Sequence, residues 1–214
     1  MNYFVPKPWG REYLCWESED CAIWILELNE NKSTSFHCHT EKNTGLVVLE
    51  GQVNLKLITS EYNLKTLEKI NIFRGRFHQS KATGDKKAVM MEVEAPVNKN
   101  DLIRWEDSNG RQNSSYETER IFFDNSEEMI NLGNKINYRK TQIYNDLIFN
   151  IYNTEEYNSS IKEYSIYILL AGAIVENQAR IIIPGDTMSK EVLTKLLNRF
   201  TLTKDALILC IGQN

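Results

Sequence analysis

The sequence predicts an all-β fold of the sandwich or barrel type, and three observations carry that prediction. Short stretches rich in β-branched, leucine and aromatic residues follow one another along the chain. Glycine- and asparagine-bearing turns punctuate them. No long stretch keeps a clean helical period.

The strands read in order as follows. "CAIWILELN", "TGLVVLE", "QVNLKLI", "LKTLEKINIF" and "KAVMMEVEA" form a first group, with Gly51 between the second and third and a turn at "TGDKK". The polar stretch Ser108 to Glu119 reads as a linker. A short helix is expected around Ser126 to Leu132. Strands then resume as "RIFFD", "INYRKTQIYN", "LIFNIYN", "YSIYILLAG", "ARIIIPGD" and "DALILCIG". A weak internal repeat connects the two groups: "LVVLEGQVNL" (Leu46 to Leu55) is echoed by "YILLAGAIVE" (Tyr167 to Glu176). The expected division is a unit at 1–112 and a second at 113–214.

Bulk composition narrows the function classes. The 214 residues are 42% hydrophobic and 25% charged, which is enough apolar content for a sizeable core. A net charge of -4 and a pI near 5.5 argue against non-specific nucleic-acid binding, which needs a basic surface. No apolar run approaches a bilayer span, and "MNYFVPKPWG" lacks a signal-like apolar core, so the expected location is cytoplasmic, with no membrane partner. Cys15, Cys21, Cys38 and Cys210 form no C-x-x-C pair, and free thiols are expected.

The chemistry concentrates on histidine, of which the chain has 3. His37 and His39 sit at i and i+2, so a strand aims both imidazoles to one side. His78 is the one further imidazole in the sequence. Three imidazoles with open positions suit a catalytic divalent metal (zinc, manganese, iron, cobalt or nickel).

The motifs around these histidines resemble those of the cupin superfamily. "HCHTEKNTGLVVLEG" matches the first cupin motif at His37, His39 and Gly51, and "FRGRFH" matches the second at Gly75 and His78. The motif's glutamate ligand position is Thr44 here, so the resemblance implies three ligands and not four. "KPWGREYL" (Lys7 to Leu14) and "MEVEAPVNKNDLIRWEDSNGR" (Met91 to Arg111) look like the start and end of type II mannose-6-phosphate isomerase domains, those fused to mannose-1-phosphate guanylyltransferases. The resemblance covers roughly residues 5–112. It implies a double-stranded β-helix (jelly-roll) barrel and a homodimer. The implied activity is isomerisation or epimerisation of a sugar phosphate or nucleotide sugar in surface-polysaccharide or nucleotide-sugar synthesis.

Within that frame, Lys42, Arg74 and Arg76 are the candidate cations for a substrate phosphate. Glu92 and Glu94 share one strand face and are the weak candidates for a proton-transferring base. Asp101, Arg104, Asp107 and Arg111 are expected to pin a chain crossing, and Trp9-Gly10 to cover a barrel or dimer edge. In the second unit, aligning Gly172 with Gly51 puts the H-x-H positions on Asn158 and Ser160, and the third position near Leu196 to Arg199. None is histidine, so the chain reads as a bicupin with one metal-competent barrel and one degenerate one. Two other readings stay open: a sugar-binding cupin without catalysis, and a three-histidine iron (thiol) dioxygenase.

Overall fold

The computed structural model describes residues 2–112, 114, 116–123, 129–160 and 163–214. The first strands are β1 (Asn2–Lys7), β2 (Gly10–Glu17), β3 (Ala22–Leu28), β4 (Phe36–Cys38), β5 (Asn43–Glu50), β6 (Gln52–Leu57), β7 (Glu61–Lys65), β8 (Lys69–Ile72), β9 (His78–Thr83), β10 (Ala88–Ala95) and β11 (Ile103–Glu106). Short strands β12 (Ile121–Phe123) and β13 (Gly133–Asn134) follow. The remainder is β14 (Thr141–Tyr144), β15 (Leu147–Asn153), α1 (Thr154–Ser159), β16 (Ile166–Ala171), β17 (Ile174–Glu176), β18 (Ala179–Ile182), β19 (Thr187–Ser189), α2 (Lys190–Leu197), β20 (Thr201–Leu202) and β21 (Leu207–Gln213). Among the described residues no helix is long and apolar enough to cross a membrane.

Strands β3 to β10 make a double-stranded β-helix. Strands β3-β10-β5-β8 lie side by side in one sheet, and β4-β9-β6-β7 in the facing sheet. The chain therefore crosses between sheets as it winds. All these pairings are antiparallel. The one long segment "LKTLEKINIF" resolves into β7 and β8, parted by a turn in which Leu67 takes φ 65°.

Strand alternation sorts the side chains into two layers. On β10, Met90 faces the barrel interior while Val89, Met91 and Val93 face outward. On β3, Trp24, Leu26 and Leu28 face in, and Ile23 and Ile25 face out. The outward layer is nevertheless buried, because the second half covers it. Ile23, Ile25, Val47 and Met91 share one cluster with Phe149, Ile168, Leu209 and Ile211. Burial on both faces is why these strands read as near-continuous apolar runs. A bulge between Leu14 and Trp16 on β2 lets Cys15 and Trp16 both join this inter-sheet core.

The second half repeats the pairing pattern of the first. Strand β16 pairs with β19 and β21, as β5 pairs with β8 and β10. Strand β17 pairs with β18 and β20, as β6 pairs with β7 and β9. Gly51 and Gly172 occupy the same turn in each, with φ of 77° and 74°. A Cβ on Gly172 would meet Ala206 Cα at 2.7 Å, so this tight turn needs glycine twice over.

Several local expectations change. Where the repeat would place an H-x-H strand, the chain forms α1, closed by a capping box between Asn153 and Glu156. Helix α2 was not anticipated, although Ser189 caps it and its Leu193 is buried. Residues 126–128 of the expected short helix lie outside the described residues. Met129 to Leu132 are not helical; Ile130 and Leu132 are buried in the inter-sheet core, and the Leu132 N–H donates to Cys15 O. Past residue 113, β12 and β13 extend the first half's sheet, on β1 and β2. Trp9 does not cover an outer edge. It is buried, among the residues of the barrel interior, because the tight Lys7–Gly10 turn folds it over the barrel mouth.

Candidate metal centre

Register brings the three histidines together. His37 on β4 lies directly opposite His78 on β9, and His39 follows at the end of β4. Ring centroids are 4.4 Å apart for His37–His78, 5.1 Å for His37–His39 and 5.5 Å for His39–His78. One ring nitrogen from each lies within 4.8 Å of the others. Among the described residues no carboxylate or thiol joins this cluster. Thr44 on β5 is buried with its hydroxyl unpartnered.

The second ring nitrogen of each histidine is tied to backbone. His37 Nδ1 lies 2.8 Å from Ser35 O, His39 Nδ1 lies 2.5 Å from Asp101 O, and His78 Nδ1 lies 3.1 Å from Arg76 O. A carbonyl only accepts, so each Nδ1 carries the proton and each Nε2 keeps its lone pair. This is the outer-shell arrangement that orients imidazole ligands. His39 Nε2 is fully buried with no hydrogen-bond partner. Buried polar atoms are seldom left so, and three lone pairs converging on one point fit a divalent cation.

The imidazoles are held neutral, as ligands must be. Burial, with the other two histidines, pushes His37 well below its usual range. Burial and then Lys42 bring His39 down to about 4, and burial lowers His78. The unfolded chain therefore binds more protons than the folded one below pH 6.5, so acid favours unfolding there. Metal-free protein is expected to lose stability as pH falls from 6.5 towards 4, by about 3 kcal/mol from His39 alone. Urea midpoints measured with a chelator across that window check this, and a flat profile would refute it. Asp101, held at about 2, titrates below the window.

Asp101 fixes the loop that carries the pair. Burial raises its pKa, but the amides of Thr40, Glu41 and Lys42 outweigh that by donating to its carboxylate at 2.7, 2.8 and 3.0 Å. Asp107 similarly takes a two-pronged contact from Arg111 at 2.8 and 2.9 Å.

The two candidate glutamates part company. Glu92 lines the cavity beside the histidines; burial raises its pKa, but Lys99 and Lys42 win and keep it ionised. Glu94 is fully buried between Lys42 Nζ and Trp24 Nε1, the latter at 3.1 Å. Lys42 lines the cavity, yet its ammonium is committed to Glu94. Arg74 and Arg76 stand on the exposed β8–β9 loop and do not line the cavity; Arg76 covers Phe73 at 6.0 Å. The cations that do line it come from elsewhere: Lys7 on β1, Lys99 before β11, Arg104 on β11, and Arg111 after it. Sequence reading assigned Arg104 and Arg111 to structure alone and missed Lys7, Glu12, Lys99, Tyr116 and Glu117. Nothing in the local sequence marked Glu12, Tyr116 or Glu117.

The cavity is partly open to solvent and has room for an ion and several waters.

No protein-family model and no curated protein matches the chain. Solved structures do resemble it. KdgF from Halomonas sp. is 11% identical over 46% of this chain and 88% of its own, with a TM-score of 0.43. The capsular polysaccharide assembling protein CapF from Staphylococcus aureus is 17% identical over 49% of this chain, with a TM-score of 0.44; the chain spans 31% of its length. A sugar phosphate isomerase of the cupin superfamily from Silicibacter pomeroyi is 18% identical over 36% of this chain and 52% of its own, with a TM-score of 0.35. The strand order set out above places this chain among proteins with the double-stranded β-helix fold.

Proposed function

We propose that the protein is a metal-dependent cupin that isomerises or epimerises a sugar phosphate or nucleotide sugar, in surface-polysaccharide or nucleotide-sugar synthesis. One observation carries the reading: an ionised, buried Glu92 lines the same cavity as three neutral, converging imidazoles. His37, His39 and His78 would hold the ion. When bound, a divalent ion supplies Lewis acidity to the oxygens of a sugar. Glu92 removes the proton from the carbon beside the carbonyl and returns it to the former carbonyl carbon. The hydroxyl proton passes between the two oxygens, so atoms and charge balance. Trp9 and the barrel wall exclude bulk water from the intermediate. The second half, which repeats the strand pairing without the H-x-H strand, is read as a degenerate cupin that backs the first.

Glu92→Gln is expected to lower turnover by about 10²–10⁴-fold, the usual contribution of a positioned base, while leaving metal content unchanged. Elemental analysis of the purified protein and assays across hexose and heptose phosphates check both halves of this. Stoichiometric metal with no turnover on any of these substrates would overturn the isomerase reading.

A further inference from the structure

The stretch expected to be a bare linker delivers a carboxylate into the same cavity. Glu117 takes hydrogen bonds from Lys7 Nζ at 2.9 Å and Arg111 at 2.8 Å, and lies 3.6 Å from Arg104. The side chains of Lys7 and Arg104 are almost fully buried, so these are built contacts and not surface pairings. Tyr116 beside it is contacted by two ammonium groups: Lys7 sits 3.7 Å over its ring, and Lys99 lies 3.1 Å from its hydroxyl. All three cations that hold Glu117 line the cavity of the histidines.

We infer that Lys7, Arg104 and Arg111 form an anion-binding subsite for the phosphate or carboxylate of the substrate, and that Glu117 occupies it as an internal stand-in. Three cations from separate segments converge on one carboxylate, a planar anion recognised by forked and point-charge donors much as a phosphate is. Charge accounting points the same way. Glu117 sits against three cations, while Lys7 also meets Glu12 at 3.5 Å and Arg111 meets Asp107 at 2.8 Å. Displacing Glu117 leaves a net positive charge that an incoming anion neutralises. Burial opposes the ionised form, but Lys7 and Arg111 hold Glu117 at about 2, so it competes as a full anion at neutral pH. Glu117 is also the most exposed member of the group, which suits it to exchange with a ligand.

The inference deepens the sugar-phosphate reading but is tested apart from it. Inorganic phosphate is titrated calorimetrically into the full chain with a chelator present, so neither metal nor turnover enters the signal. Glu117→Gln is expected to bind phosphate at least tenfold more tightly than the wild type, and adding Arg104→Ala is expected to remove the gain. Glu117→Ala serves in parallel, with circular dichroism confirming that each variant folds. Wild-type affinity in both folded single variants overturns the subsite. So does a gain that survives Arg104→Ala. If neither Glu117 variant folds, a wild-type ³¹P titration decides: saturable phosphate broadening supports the subsite, and none overturns it. Loss of the isomerase reading by assay would leave any of these results standing.

Discussion

Phe149→Ala is expected to destabilise the chain by about 3–5 kcal/mol, the usual cost of emptying a fully buried aromatic position. Phe149 has no exposed surface and stands in the layer where the sheet of β15, β16 and β21 packs on the sheet of β2, β3, β5 and β10. Most residues of its cluster lie on strands, whose backbones are held by ladders. The site therefore collapses poorly and keeps most of the cavity. Because Met91 and Val93 of β10 belong to the same cluster, the loss falls on both halves together. A single cooperative urea transition, shifted as a whole, is the expected result. Two separate transitions, with only one moved, would show that the halves are not coupled through this layer.

His39→Ala is expected to abolish stoichiometric metal binding. Changes in the partners behind a ligand cost about 10–100-fold in affinity, and removing a direct ligand from a set of three costs at least that. With no carboxylate in the cluster to compensate, two imidazoles remain. The fold is expected to persist, since His39 Nε2 makes no hydrogen bond and its Nδ1 engages only Asp101 O. Elemental analysis and the metal-induced shift in melting temperature check this. A variant that keeps one ion per chain at wild-type affinity would remove the three histidines as the site.

The histidine trio was legible in the sequence because its signal is local: a scarce residue, a spacing of two, and glycine turns at the motif positions. Strand alternation made the same-side placement of His37 and His39 a matter of geometry, and the register of β4 on β9 then supplies His78. The cavity's charges were not legible, because they depend on contacts between distant segments. Lys7 and Glu117 are 110 residues apart in sequence. Conversely, Arg74 and Arg76 lie close to His78 in sequence but are exposed and absent from the cavity lining, so proximity along the chain does not by itself bring side chains to the site. The inward stripe of α2, at Leu193, Leu196 and Leu197, was present in the sequence. It was hidden by its shortness and by the strand expectation carried over from the first half. The capping box of α1 was hidden in the same way.

The two-faced burial of β3, β5 and β10 also has a consequence during synthesis. The first half leaves the ribosome with one wall of its barrel finished and the other wall, Ile23, Ile25, Val47 and Met91, still bare. Its cover includes β21, Leu207–Gln213, which emerges long after β10. Until β21 emerges, an apolar sheet face is thus left uncovered, the state in which partly made chains associate. Aggregation of chains terminated before β21 is therefore the expected outcome, even though the finished protein buries Ile23, Ile25, Val47 and Met91.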